Sequence, residues 1–108
     1  MAAVIWSPRA IKDINEIAEF IAKDSIQYAR AQVRLFVEMA EELERHPFRG
    51  RVVPELGINS IRQMLCGHYR IIYEVLEAKV GILTVHHQAR LLKNTTSVAI
   101  KRYLRKKK

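Results

Sequence analysis

Cysteine is almost absent from this chain. Cys66 stands alone, so no internal disulfide can form and no disulfide framework holds the fold,. The lone thiol is read as a small buried side chain rather than a catalytic nucleophile, and its solitude favours a reducing cytoplasm. No apolar run approaches the roughly 20 residues needed to cross a bilayer. Met1 to Trp6 lacks the basic start and long apolar stretch of a secretory signal,. Phosphate loop, nucleophile elbow, zinc-ligand spacing and dinucleotide fingerprint are all missing, so neither a cofactor nor a metal is expected. There is no internal repeat and no linker, and 108 residues suit one domain,.

Acidic residues are missing from one region only. Residues 88–108 hold Arg90, Lys93, Lys101, Arg102, Arg105, Lys106, Lys107 and Lys108 and no Asp or Glu. Residues 1–87 balance eleven cations against eleven anions, so the whole net charge of +8 lies in the final stretch. Such a basic segment, about 93–108, attracts polyanions or an acidic protein partner. The alternative is a solvated terminus that aids solubility.

What is present is periodic. Ala3 to Trp6 is long enough for one strand. Ser7-Pro8 opens a helix, since serine caps free amides and proline tolerates the first helical position. Ala10, Ile11, Ile14, Ile17, Ala18 and Ile21 follow at helical spacing, with Lys12, Asp13, Asn15, Glu16 and Glu19 assigned to the outer face,. Asp24-Ser25 starts a second helix whose stripe is Ala29, Val33, Phe36, Val37, Ala40 and Leu43, ended by Pro47,. Residues 48–59 read as a connecting loop with a short extended piece. Strands are expected over 60–65, 69–76 and 80–87, with Gly81 marking a bulge or close approach. Their short connections imply antiparallel pairing. From about Thr95 the chain is helix-compatible through Val98, Ala99 and Tyr103, and the final four residues read as disordered. The order predicts an α+β two-layer domain spanning 1–108, with two antiparallel helices on one face of an antiparallel sheet.

Chemistry has few places to reside. Arg62 and Arg70 fall on neighbouring strands, and His86, His87 and Arg90 cluster at the end of the last strand. Arginine grips phosphate with a planar fork, and histidine transfers protons near neutrality. Together they suit RNA cleavage, in which a base activates the ribose 2′-hydroxyl and arginine stabilises the phosphorane. The structural alternative pairs Arg70 with Glu74, leaves Arg62 on a solvated face and buries one of the two histidines.

Several blocks together resemble the ParE/RelE toxin superfamily. They are Trp6-Ser7-Pro8-Arg9-Ala10 with Asp13, Ile17 and Ile21; Leu43 and Pro47; Gly50-Arg51-Val52-Val53-Pro54-Glu55; Ile61-Arg62; Tyr69-Arg70-Ile71-Ile72-Tyr73; and Val85-His86-His87-Gln88-Ala89-Arg90. The resemblance spans residues 4–92 and implies the toxin half of a type II toxin–antitoxin pair, with a cognate antitoxin as partner. Branches of the superfamily differ in target. RelE-like members cut messenger RNA on the ribosome, for which Arg70, His87 and Arg90 would be the catalytic set here. Yet Ile61, Gln63 and Thr96 stand where the resemblance leads one to expect two lysines and a tyrosine. ParE-like members act on DNA gyrase, and the blocks at 50–55 and 87–90 look more like that branch. The third alternative is an inactive antitoxin-binding module. For partner binding, Arg62, Lys101, Arg102 and Arg105 are the candidates. No membrane association is expected.

Overall fold

In the computed structural model, which describes residues 1–89, seven elements follow one another: β1 (Ala3–Trp6), α1 (Pro8–Ala22), α2 (Ile26–Glu42), β2 (Arg51–Val52), β3 (Ile61–Cys66), β4 (Tyr69–Val75) and β5 (Lys79–His87). The C-terminal helix expected from about Thr95 lies outside the described residues. The Ser7 hydroxyl accepts the Ala10 amide at 3.0 Å with Pro8 in the first turn, and Ser25 accepts the Tyr28 amide at 3.1 Å. Both expected caps therefore form, each satisfying an amide that the helix start leaves unpaired.

Three assignments on the helices change. Ile11, counted in the apolar stripe of α1, is 50% exposed. Asp13, placed on the outer face by the sequence, is buried, for a reason that lies in the sheet edge described below. Val37, counted in the apolar stripe of α2, is 40% exposed, whereas Ala29, Phe36, Ala40 and Leu43 are buried. At about 100° per residue, Val37 sits a quarter turn round from Phe36 and leaves the core-facing side.

The five strands lie in the order β1-β5-β4-β3-β2. The β2–β3, β3–β4 and β4–β5 pairs are antiparallel, as short turns require,. Gly67, at φ +60°, allows the tight β3–β4 turn,. The sheet is antiparallel among the strands for which the sequence predicts that pairing, and mixed as a whole, because the first strand adds a parallel edge. β1 runs parallel to β5, with Ala3 opposite Lys79 and Trp6 opposite Ile82. Two helices and three strands separate them, so no turn fixes their direction. A bulge does occur in β5, at Leu83 instead of Gly81. Thr84 faces Ile72 and Ile82 faces Tyr73, which leaves Leu83 as the extra residue,.

Both faces of the sheet are covered. On one, Ala10 and Ile14 of α1 and Phe36, Ala40 and Leu43 of α2 pack on Met64, Cys66, Ile71, Tyr73, Val80, Ile82 and Val85. On the other, the segment after β2 folds back, and Val53, Leu56 and Ile58 pack on Ile61, Ile72 and Leu83.

One edge needs extra support. β1 ends opposite Ile82 while β5 runs on to His87, so β5 leaves backbone groups without a neighbouring strand. The start of α1 covers them. Ser7 donates its amide to the Ile82 carbonyl at 3.0 Å and its hydroxyl to the Leu83 carbonyl at 2.9 Å. Asp13 accepts the Val85 amide at 3.1 Å and the Thr84 hydroxyl. Arg9 closes the set with an ion pair to Asp13 at 3.1 Å. A carboxylate on an apolar helix face is thus consumed as a cap for a strand edge.

Candidate functional site

Strand alternation decides which candidate residues meet. In the β4–β5 ladder Arg70 stands opposite His86, and Tyr69 stands opposite His87. Neighbours along a strand point to opposite faces, so Arg70 and His87 lie on different sides of the sheet. The expected set of Arg70, His87 and Arg90 is therefore not brought together within the described residues, and Arg90 lies beyond them. On the face of Arg70, the imidazole next to it in register is His86.

Arg70 is buried, at 4% exposure. Its guanidinium meets both carboxylate oxygens of Glu55, one at 3.1 Å and the other closer, and donates to Gln63 Oε1 at 2.9 Å. Glu55 comes from the segment that covers this face, so the pair ties that segment to the middle of the sheet. A two-pronged arginine–carboxylate pair uses the fork that a phosphate would otherwise occupy. Glu74, the partner suggested by strand spacing, is buried on the same face. Gln63 stands where the resemblance leads one to expect a lysine, and here it is an acceptor for Arg70.

His86 joins the edge network. The single proton of the Thr84 hydroxyl goes to Asp13, so the 3.2 Å contact between Thr84 and His86 is donated by His86 Nε2–H,. A hydrogen-bonded chain results, from His86 through Thr84 to Asp13 and Arg9.

His87 is exposed on the helix-side face, edge-on to Tyr69 with centroids 5.5 Å apart. Arg62 is spent within the chain. Nε donates to the Asn59 carbonyl at 3.0 Å, Nη1 to the Gly50 carbonyl at 3.0 Å, and Nη2 to Asn59 Oδ1 at 2.8 Å. Its guanidinium also lies over the Phe48 ring at 4.9 Å. Arg62 thus closes the loop between α2 and β3. Lys101, Arg102 and Arg105, the other partner-binding candidates, lie outside the described residues, as does Thr96.

Two buried acids bear on chemistry. Burial pushes the Cys66 thiol above its ordinary pKa, opposed by the Gln32 amide 3.7 Å from the sulfur. A thiol that resists ionisation is a poor nucleophile, in line with its reading as a packing residue. Burial likewise raises the Tyr73 phenol, opposed by the Gly50 amide donated to its oxygen at 2.8 Å and by the nearby Arg62 cation. Among the described residues, no three His, Cys, Asp or Glu side chains converge to hold a metal, and no helix is long and apolar enough to cross a membrane.

The roles of Glu55, Gln63 and Asp13 do not follow from local spacing. Glu55 leaves one signal, as a lone acid between Val53 and Leu56 in an otherwise apolar segment. Asp13 leaves another, directly before Ile14 on the buried side of α1.

Two helices on a mixed five-stranded sheet, with a covering segment pinned by an arginine, define an α+β fold. A solved structure described as the chromosomal ParDE TA system from P. aeruginosa shares it, with a TM-score of 0.67 over 81% of this chain and 96% of that one, at 18% identity. Residues 4–92 match the family described as ParE toxin of type II toxin-antitoxin system, parDE, and the chain belongs to that family. A curated relative, Toxin RelE2 of Caulobacter vibrioides, is 32% identical over 92 residues, covering 84% of this chain and all of that protein.

Proposed function

We propose that this chain is a ParE-like toxin that inhibits DNA gyrase in the cytoplasm by docking on it rather than by cleaving a bond, and that a cognate antitoxin neutralises it. The observation that carries this reading is the state of Arg70. A ribonuclease needs its arginine directed at a phosphorane, and this guanidinium is buried against Glu55 and Gln63. The missing lysines and tyrosine, at Ile61, Gln63 and Thr96, point the same way. A docking toxin needs a surface instead, and the basic stretch that includes Lys101, Arg102 and Arg105 supplies charge for an acidic partner.

The second reading is a RelE-like ribonuclease. It is favoured by the placement of Arg70 beside His86 and by the name of the Caulobacter relative. On this reading Glu55 must leave Arg70 when RNA binds. The third reading is an inactive module that binds antitoxin alone.

Expression of the full chain in bacteria separates the three. Growth, transcript cleavage at ribosomes and the DNA-damage response are followed in the same cells. Gyrase inhibition predicts arrest with induced DNA damage and intact transcripts. Cut ribosome-bound RNA would overturn the docking reading, and folded protein with neither effect would leave the inactive module.

A further inference from the structure

We propose that the outer face of α2 is a two-fold interface on which a second copy of this chain docks antiparallel. At about 100° per residue, Arg30, Arg34, Glu38 and Glu41 all lie within about 60° of the direction opposite the buried Phe36,. All four are exposed, and among the described residues none of them forms an ion pair. Leu35 and Val37 flank them, one on each side, and both are exposed. On α1, Ile11 points about 200° away from Asp13, which faces the β5 edge, and so toward α2,. It stands as far from the turn at Asp24 as Val37 does, and these two exposed side chains lie level.

The order of charge along α2 opposes the helix's own field. The first turn holds no acid and the last turn no base. Arg30 and Arg34 lie in the N-terminal half, and Glu38 and Glu41 in the C-terminal half. A helix by itself is stabilised by the reverse order, because its N-terminus is the positive end of its dipole. Arg34 before Glu38 is likewise the less favourable order for a pair four residues apart.

An antiparallel second copy satisfies this order. The midpoint of Arg30 and Glu41 and that of Arg34 and Glu38 fall within half a residue of each other, close to Phe36. A two-fold axis there sets each Arg30 against the other copy's Glu41, and each Arg34 against its Glu38. It also brings the two copies' Leu35 side chains together at the centre, with the two Val37 side chains beside them, and it opposes the two helix dipoles. A partner of a single charge sign would meet like charge on half of this face, so the pattern selects a second copy over an acidic or a basic segment. The inference is independent of gyrase docking and needs no cleavage.

Sedimentation equilibrium of the purified full chain tests it. The unaltered chain should dimerise in the micromolar range, as suits an interface built from one helix hairpin per copy. Arg30→Glu and Glu41→Arg should each weaken the dimer at least about tenfold, because one change sets like charges together at both ends of a two-fold interface. Mixing these two variants should restore the dimer, since every cation of the mixed pair again meets an anion. Arg30 and Glu41 are eleven residues apart, roughly 16 Å along the helix, so no contact within one chain can give that rescue,. Leu35→Ala keeps every charge and should weaken the dimer by about tenfold. A single-chain mass at every concentration up to about 1 mM would overturn the proposal, and is the result expected if this face serves the antitoxin instead. So would charge reversals that leave the dimer intact, or a mixture that stays monomeric.

Discussion

The two faces of the β4–β5 ladder are built by different physics, although their residues alternate along the same strands. The face of Arg70 and His86 joins a small apolar cluster around Ile72 to buried polar groups that find partners inside the molecule. The face of Tyr69 and His87 is held by apolar and aromatic packing that runs from Phe36 out to solvent. The first is intolerant, because a buried charge that loses its partner keeps its desolvation cost. The second is forgiving at its rim, because the exposed His87 ring can be removed and the Ala89 amide that it accepts is left facing water. The difference teaches that the most reactive-looking residue, Arg70, serves to anchor the covering segment.

The largest expected effect breaks the polar face. Arg70→Ala strands the Glu55 carboxylate and should cost about 3–5 kcal/mol of stability in urea unfolding. Replacing both partners by leucine should recover much of that loss. A cost below about 1 kcal/mol for Arg70→Ala would show that the pair holds nothing.

Next in size is Gly50→Ala. A methyl there would meet the Gln63 carbonyl oxygen and lie 2.7 Å from the Tyr73 hydroxyl, so backbone must move. A loss of about 2–3 kcal/mol, with a lower Tm, is expected. Asp13→Ala orphans the Val85 amide at the edge of β5 and should cost about 2 kcal/mol, with Asp13→Asn costing less because an acceptor remains,. Hydrogen exchange at Val85 checks this directly, since its amide should lose protection in the alanine variant.

Tyr73→Phe is smaller at neutral pH, about 1 kcal/mol for the lost bond to Gly50,. Its larger signature is in alkali. The phenol's folded pKa lies above its ordinary value of about 10,. Stability from this group is therefore intact below that pH and falls as pH rises past it, when the unfolded chain ionises first. The phenylalanine variant should show a shallower alkaline decline. Smallest of all, His87→Ala should change stability by less than about 0.5 kcal/mol. A larger loss would make the exposed face as rigid as the buried one and remove the contrast.

Much of this architecture is legible in local sequence. Ser7-Pro8 and Ser25 announce both helices, and the alternation of Tyr69, Ile71 and Tyr73 against Arg70 and Ile72 sorts β4 into its two faces. Carried across the strand ladder to β5, that sorting separates Arg70 from His87. What stays hidden depends on distance along the chain. Glu55 reaches Arg70 only because the 53–60 segment folds back over the sheet, and Asp13 turns inward only because β1 stops short of the end of β5. Local spacing marks these two acids only by their apolar neighbours, names no partner for either, and carries no record of the parallel direction of β1.

That parallel strand has a consequence in time. The bond from Ser7 to the Leu83 carbonyl joins residues 76 apart in sequence. At a synthesis rate of about 5–20 residues per second, β1 waits roughly 4 to 15 s for its neighbour to be made. A nascent chain on the ribosome cannot close its sheet edge or seat Asp13 in that interval. Closure of that edge is therefore a late step, and a cell translating this toxin holds a chain with an open sheet edge for seconds before it holds a complete one.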